Sequence, residues 1–175
     1  MIILAIDPGI TGALAFYDPS RDPWHLEVFD MPILNGNVNP HQLWAMILVR
    51  KPHIAIIEQV SPMPKEGVSS VWRFASAYTT AHTVVRLMDI PLFLVSPAKW
   101  KRSMNLKGGK EGKEQARERA IATFPSWAGS FSLKKHHGRA EASLLAVYAS
   151  TLPTIKNHAG PSDDPNLHPS LPVEP

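Results

Sequence analysis

Cysteine is absent from all 175 residues. Its absence excludes a disulfide framework and any thiolate-bound metal, and it fits a reducing compartment. Long apolar runs are missing too: none comes near the roughly 20 residues needed to span a bilayer. The first apolar run has no basic residue before it and already meets an acid at Asp7, so no secretory leader is expected. These absences predict a soluble cytoplasmic protein without membrane contact. Acidic residues are scarce in one region. Residues 96–139 hold eleven Lys/Arg (Lys99, Lys101, Arg102, Lys107, Lys110, Lys113, Arg117, Arg119, Lys134, Lys135, Arg139) against three acids (Glu111, Glu114, Glu118). Such a block suits a phosphate backbone. It suits equally a solvated helix face with Glu–Lys pairs, and charge alone does not separate the two.

What is present is ordinary globular material, 44% hydrophobic and 19% charged, enough for the core of one domain. The composition changes near residue 151. Six prolines (Pro153, Pro161, Pro165, Pro169, Pro172, Pro175) with few apolar residues fill the last stretch, which reads as a disordered tail over 151–175. The folded domain is expected over 1–150.

Within that domain, segments 2–7, 12–18 and 24–30 read as strands separated by Pro-Gly and Asp-Pro-Ser punctuation. The first two are close enough to form a hairpin. Pro40 starts a helix that runs to Arg50, and HIAIIE (53–58) reads as a buried strand. Apolar or small residues at 68, 71, 75, 78, 81, 85 and 88 space a helix over 67–88. PLFLVSP (91–97) is a further strand, and helices are expected near 97–104, 110–123 and 138–150. A three-stranded meander followed by alternating helices and strands predicts an α/β fold, a mixed sheet flanked by helices in the ribonuclease H-like order.

Two strands end on acids. In IILAID followed by Pro-Gly, Pro8 biases Asp7 towards extended backbone and Gly9 frees the turn. Glu58 repeats the pattern after Ile54, Ala55, Ile56 and Ile57. Both carboxylates are expected at strand C-termini, where α/β sheets carry their ligand sites. In KKHHGRAEASLLAVY a helix starting near Gly138 would hold Glu141 in its first turn, where the dipole favours an anion. His137, four positions earlier, shares its face, while His136 reads as a surface bystander. Asp7, Glu58, Glu141 and His137 together suit hard divalent cations, Mg²⁺ or Mn²⁺. A pair of such ions serves phosphodiester cleavage. A single acid at a strand end is more often a solvated terminus; the repetition argues against that here.

IDPGITGA, AIIEQV and HHGRAEASLLA, in that order, resemble RuvC-type Holliday junction resolvases over about residues 1–150. The RAEA string is similar to that of a phage-related and organellar offshoot. The resemblance implies a ribonuclease H-like homodimer that makes paired, metal-dependent nicks in four-way DNA junctions. It also implies metal ligands at Asp7, Glu58 and Glu141. His137 falls where that offshoot carries an acid, and it serves as ligand or as the base that activates water. Family members place an aromatic three residues beyond the strand glutamate; here that residue is Ser61, leaving Met63, Trp72 or Phe74 as substitutes.

The resemblance turns the basic block into an expected DNA surface: Lys99, Lys101, Arg102, Lys107, Lys110, Lys113, Lys134, Lys135 and Arg139, the last either on phosphate or paired with Glu141. Lys107-Gly-Gly-Lys110 lacks P-loop spacing. The helix over 67–88 carries Trp72, Phe74, Tyr78, Val84 and Val85 around much of its circumference, a candidate dimer surface. Three rivals stand beside the nuclease: a junction-binding module with weakened catalysis, a nuclease for other branched nucleic acids, and an actin-like phosphotransferase. The last shares the Asp-Pro-Gly turn but needs a second domain.

Overall fold

The computed structural model describes residues 1–21, 25–59 and 67–158. Strand β1 (Ile3–Asp7) is buried on both faces, so its apolar residues run on instead of alternating. It pairs antiparallel with β2 (Ala13–Asp18), Asp7 opposite Ala13, and β2 pairs antiparallel with β3 (His25–Asp30). A small hairpin of β4 (Ile33–Leu34) and β5 (Asn37–Val38) follows. Its turn, Asn35-Gly36, has both φ angles positive, 51° and 76°, as a tight two-residue hairpin turn requires. Helix α1 (Pro40–Arg50) opens on proline, and the Asn39 side chain accepts from the Gln42 N–H at 3.2 Å. Strand β6 (Ile54–Glu58) lies parallel to β1; after α2 (Val68–Leu87), β7 (Leu92–Val95) lies parallel to β6. The sheet order is β3-β2-β1-β6-β7. Helices α3 (Pro97–Ser103) and α4 (Gly109–Thr123) lead into two 3-10 turns, Pro125–Phe131 and Lys134–His136. Helices α5 (His137–Thr151) and α6 (Pro153–Asn157) follow them.

The two-residue period of the strands sorts the core into two layers. Ile3, Ala5, Ile54 and Ile56 pack with Trp100 of α3, Ala116 and Ala120 of α4, and Leu144 and Leu145 of α5. Leu4, Ile6, Ala55 and Ile57 pack on the opposite face with Leu43 and Ile47 of α1 and Ala81 and Val85 of α2. Each fully buried Leu or Ile contributes about 1.5–3 kcal/mol, so both helical layers are held firmly on one central sheet. The architecture is the expected mixed α/β sheet flanked by helices. Among the described residues no helix is long and apolar enough to cross a membrane.

Two expectations change. The fold continues past residue 150, because α6 returns onto α5 and buries Ile155 completely. Pro153, counted among the prolines of the expected tail, takes the first position of this helix, where its missing N–H costs nothing. The stretch from 159 onward, expected to be disordered, lies outside the described residues. On α2, Val84 and Val85 belong to the core, so the open apolar surface is narrower than expected: Val68, Trp72 and Leu87. Trp72 (76% exposed) and Leu87 border a groove of about 540 Å³ whose lining also includes Pro40, Thr79 and Thr83.

Candidate active site

Strand alternation puts Asp7 in line with Ile3 and Ala5, and Glu58 in line with Ile54 and Ile56, both toward the α5 layer. The chain after Asp7 reverses sharply, the Gly12 N–H donating to the Gly9 carbonyl at 3.0 Å. A Cβ on Gly12 would stand 2.0 Å from the Asp7 carbonyl oxygen, and one on Gly138 would stand 2.5 Å from the Thr11 carbonyl oxygen. Only glycine allows these approaches, so the first turn of α5 docks directly on the Asp7 turn. His137, Glu141 and Asp7 consequently line one cleft of about 310 Å³, with Thr11, Ser70, Arg73, Phe74 and Lys113.

Glu58 arrives from β6 beside this cleft. It is buried, and the indole N–H of Trp100 donates to its Oε2 at 2.5 Å. The ammonium of Lys101 donates to Glu141 Oε1 at 3.0 Å. Burial raises the Asp7 carboxyl well above the usual carboxylate range, the charges of Glu141 and Glu58 push the same way, and Lys101 and Lys113 offset only part of this. Burial raises Glu58 as well, with Lys101 and the Trp100 hydrogen bond opposing it and Glu141 adding to it. For Lys101, burial works against the charge, yet Glu141 and Glu58 hold its pKa above the ordinary lysine value. The shifts of Asp7, Glu58 and Lys101 thus arise from burial and from one another's neighbouring charges within a single cluster.

Asp7, Glu58 and Glu141, brought from two strands and a helix to one edge of the sheet, form an oxygen-donor set suited to a hard divalent cation. Among the described residues no three His, Asp or Glu side chains are drawn around one point. Lys101 supplies the positive charge that Asp7, Glu58 and Glu141 all feel.

The remaining expectations divide. His137 lines the cleft, with Nε2 3.2 Å from Lys113 Nζ and Nδ1 3.3 Å from the Lys134 carbonyl. His136 is not a surface residue. It is buried, its Nδ1 accepts from the Leu133 N–H at 3.3 Å, and burial lowers its pKa, so it serves the turn before α5. Because α5 starts at His137, Glu141 lies past the first turn and is balanced by Lys101 instead of the helix dipole. Arg139 does not reach Glu141; its Nε and Nη2 donate to the two Asp30 oxygens, each at 2.6 Å. Arg117 is buried, bound to Glu114 and to the Phe131 and Ser132 carbonyls, which makes it a structural member of the basic block.

Lys99, Arg102, Lys134 and Lys135 are exposed, and Lys107 pairs with Glu111. The Lys110 side chain, Ser61 and Met63 lie outside the described residues. Phe74 leans on the Asp7 turn near Gly9, whereas Trp72 points away from the cleft into the α2 groove. Sequence reasoning missed Trp100 and Arg73 at the site. One signal was present for Trp100: α3 begins two residues beyond the end of β7, at the strand edge where ligand sites of α/β sheets lie.

No protein-family model and no curated protein matches the sequence. Solved structures do. The chain is similar to Thermus thermophilus RuvC in complex with a Holliday junction substrate, with TM-score 0.55 and 14% identity over 91% of this chain and 97% of that one. It is similar also to Thermus thermophilus RuvC alone, TM-score 0.52 and 19% identity over 86% of this chain and 93% of the other. A weaker likeness, TM-score 0.48 and 15% identity over 90% and 78%, is to the yeast mitochondrial Holliday junction resolvase Ydc2. At these identities the likeness is one of fold: the five-stranded sheet and its two helical layers are the ribonuclease H-like arrangement of RuvC.

Proposed function

We propose that this chain is a divalent-metal-dependent endonuclease that resolves four-way DNA junctions by paired, symmetric nicks. One observation carries the reading: Asp7 of β1 and Glu141 of α5 line one cleft at the edge of a RuvC-like sheet, and Glu58 at the end of β6 and Glu141 are held by the consecutive residues Trp100 and Lys101. Asp7, Glu58 and Glu141 with His137 would hold Mg²⁺, or Mn²⁺ in its place, as two ions. Bound ions supply an acidified water as nucleophile and positive charge for the leaving oxygen. The protein's part is positioning. Asp7 sits on a strand tip clamped by close glycine packing, so its carboxylate needs little reorganisation.

His137 Nδ1–H donates to the Lys134 carbonyl, which leaves the Nε2 lone pair facing Lys113. With a phosphate in the cleft drawing Lys113 away, that one lone pair on Nε2 would serve either as the metal ligand or as the base that activates water, not as both. The exposed Lys99, Arg102, Lys107, Lys134 and Lys135, together with Lys110, follow the phosphate backbone. The α2 face with Val68, Trp72 and Leu87 pairs two copies about a two-fold axis, which presents two clefts to two strands.

The test is nicking of a labelled four-way junction beside a linear duplex of the same sequence, with wild type and Asp7→Asn, in Mg²⁺ and in EDTA. Paired nicks restricted to wild type, metal and junction are expected. A second reading, a junction-binding module with weakened cleavage, draws on the ion pair between Lys101 and Glu141 and on the absence of a gathered ligand set among the described residues. Tight junction binding without nicks in either Mg²⁺ or Mn²⁺ would select it. Equal cleavage of forks or branched RNA would broaden the substrate.

A further inference from the structure

We propose that Trp100 is a positioning residue for Glu58, holding one carboxylate oxygen so that the other is presented to a cation; this rests on the metal-centre reading above. Trp100 is 0% exposed and is the largest fully buried side chain among the described residues. A buried indole brings an N–H that must find an acceptor, a demand Phe or Leu would not make in the same space. The acceptor is Glu58 Oε2, so the indole makes a hydrogen bond to a carboxylate, the kind strengthened by charge. Among the described residues, this indole is the one hydrogen-bond donor on the Glu58 side chain, so Oε1 is left for a further ligand.

The backbone fixes both partners. Glu58 is paired with Val95 across β6 and β7, and the Gln59 N–H donates to the Val95 carbonyl at 2.7 Å. Helix α3 starts two residues later, with Pro97 in its first turn, so Trp100 is held at a set distance from Glu58. The next residue, Lys101, turns to the other carboxylate: its ammonium is 3.0 Å from Glu141 and 5.4 Å from the Trp100 ring centroid. Consecutive residues of one short helix thereby hold two acids, one from a strand and one from another helix.

A packing role needs only the shape of the indole; a positioning role needs its N–H. The experiment replaces Trp100 with benzothienylalanine, which keeps the bicyclic shape and puts sulfur in place of N–H, and separately uses Trp100→Phe. Mn²⁺ binding to the DNA-free protein is followed by electron paramagnetic resonance, and folding by thermal melting. The expected result is a folded isostere variant with Mn²⁺ affinity reduced at least about tenfold, and the same direction for Trp100→Phe. In a Glu58→Gln background the isostere should cost nothing further, because the two changes act on one interaction. Unchanged Mn²⁺ affinity in the folded isostere variant overturns the role of Trp100 and leaves the metal centre standing. An equal loss in the Glu58→Gln background overturns it too. Absence of Mn²⁺ binding by wild type at millimolar concentration overturns the metal centre itself, and this proposal with it.

Discussion

Lys101 Nζ lies 3.0 Å from Glu141 Oε1, joining α3 to α5 while Asp7 and Glu58 also feel its charge. In the absence of metal this ammonium is the counter-ion of the centre. Removing one partner of a largely withdrawn, charge-assisted hydrogen bond costs about 1.5–3 kcal/mol. Lys101→Met is therefore expected to melt several degrees below wild type in EDTA at pH 8, and Mn²⁺ should restore more of its stability than it adds to wild type. Calorimetric melting with and without Mn²⁺ decides; a loss that the metal does not repair would make Lys101 a structural pair only.

Asp7 gives a pH signature of opposite sign to most carboxylates. Its folded pKa is raised by burial and by Glu141 and Glu58, so its contribution is fully present below the unfolded value near 3.9 and is lost as pH rises through the folded pKa. At neutral pH the ionised carboxylate opposes folding. Asp7→Asn in EDTA should melt above wild type at pH 7–8 by at least about 2 °C, roughly what 1 kcal/mol amounts to in a chain of this size. The two should converge as pH falls toward 4, while nicking is lost throughout. A melting series over pH 4–8 checks it; an Asn variant less stable at every pH would refute the coupled-carboxylate account.

Gly138 joins α5 to the Asp7 turn through an approach that leaves no room for a Cβ, 2.5 Å from the Thr11 carbonyl oxygen. Gly138→Ala forces the backbones apart, at about 1–3 kcal/mol by the usual cost of overpacking. Since the same approach aligns Glu141 with Asp7, nicking by the folded fraction should fall by more than tenfold. Melting and nicking on the same preparation separate the two effects.

The basic block separates into structural cations and exposed ones, the latter assigned to phosphate under the proposed function. Arg139 is fixed on Asp30, whereas Lys134 and Lys135 are exposed before α5. Replacing Lys134 and Lys135 with Ala should flatten the dependence of log K on log salt by about 0.9 for each phosphate of the duplex arms that is no longer neutralised. Arg139→Ala should leave that slope unchanged and lower the melting temperature. Junction-binding titrations at several salt concentrations give both slopes.

Much of the fold was legible because the strands are short and apolar, β1 is closed by Pro8-Gly9, α1 opens on Pro40 and α2 carries a helical period. Asp7 and Glu58 could be placed at strand ends from the same signals. The β4–β5 hairpin is hard to read although Asn35-Gly36 is a strong turn pair, because its strands are two residues each and carry no alternation. Ion-pair partners could not be read at all. Arg139 pairs with Asp30 and not Glu141, and Lys101 pairs with Glu141, because β3 and α3 come alongside α5 only in the folded state. In the sequence Trp100 is one more aromatic; its N–H acceptor comes from a strand some forty positions earlier.

The close approach of Gly138 to Thr11 seats a late helix against an early turn. During protein synthesis, Asp7 leaves the ribosome long before Glu141, and the centre is incomplete until α5 has emerged and docked on β1 and β2. A chain interrupted anywhere before α5 lacks one of the three acids and leaves one face of its sheet without that helix. Under the proposed activity, an unfinished copy carries no complete cutting centre into a cell full of DNA.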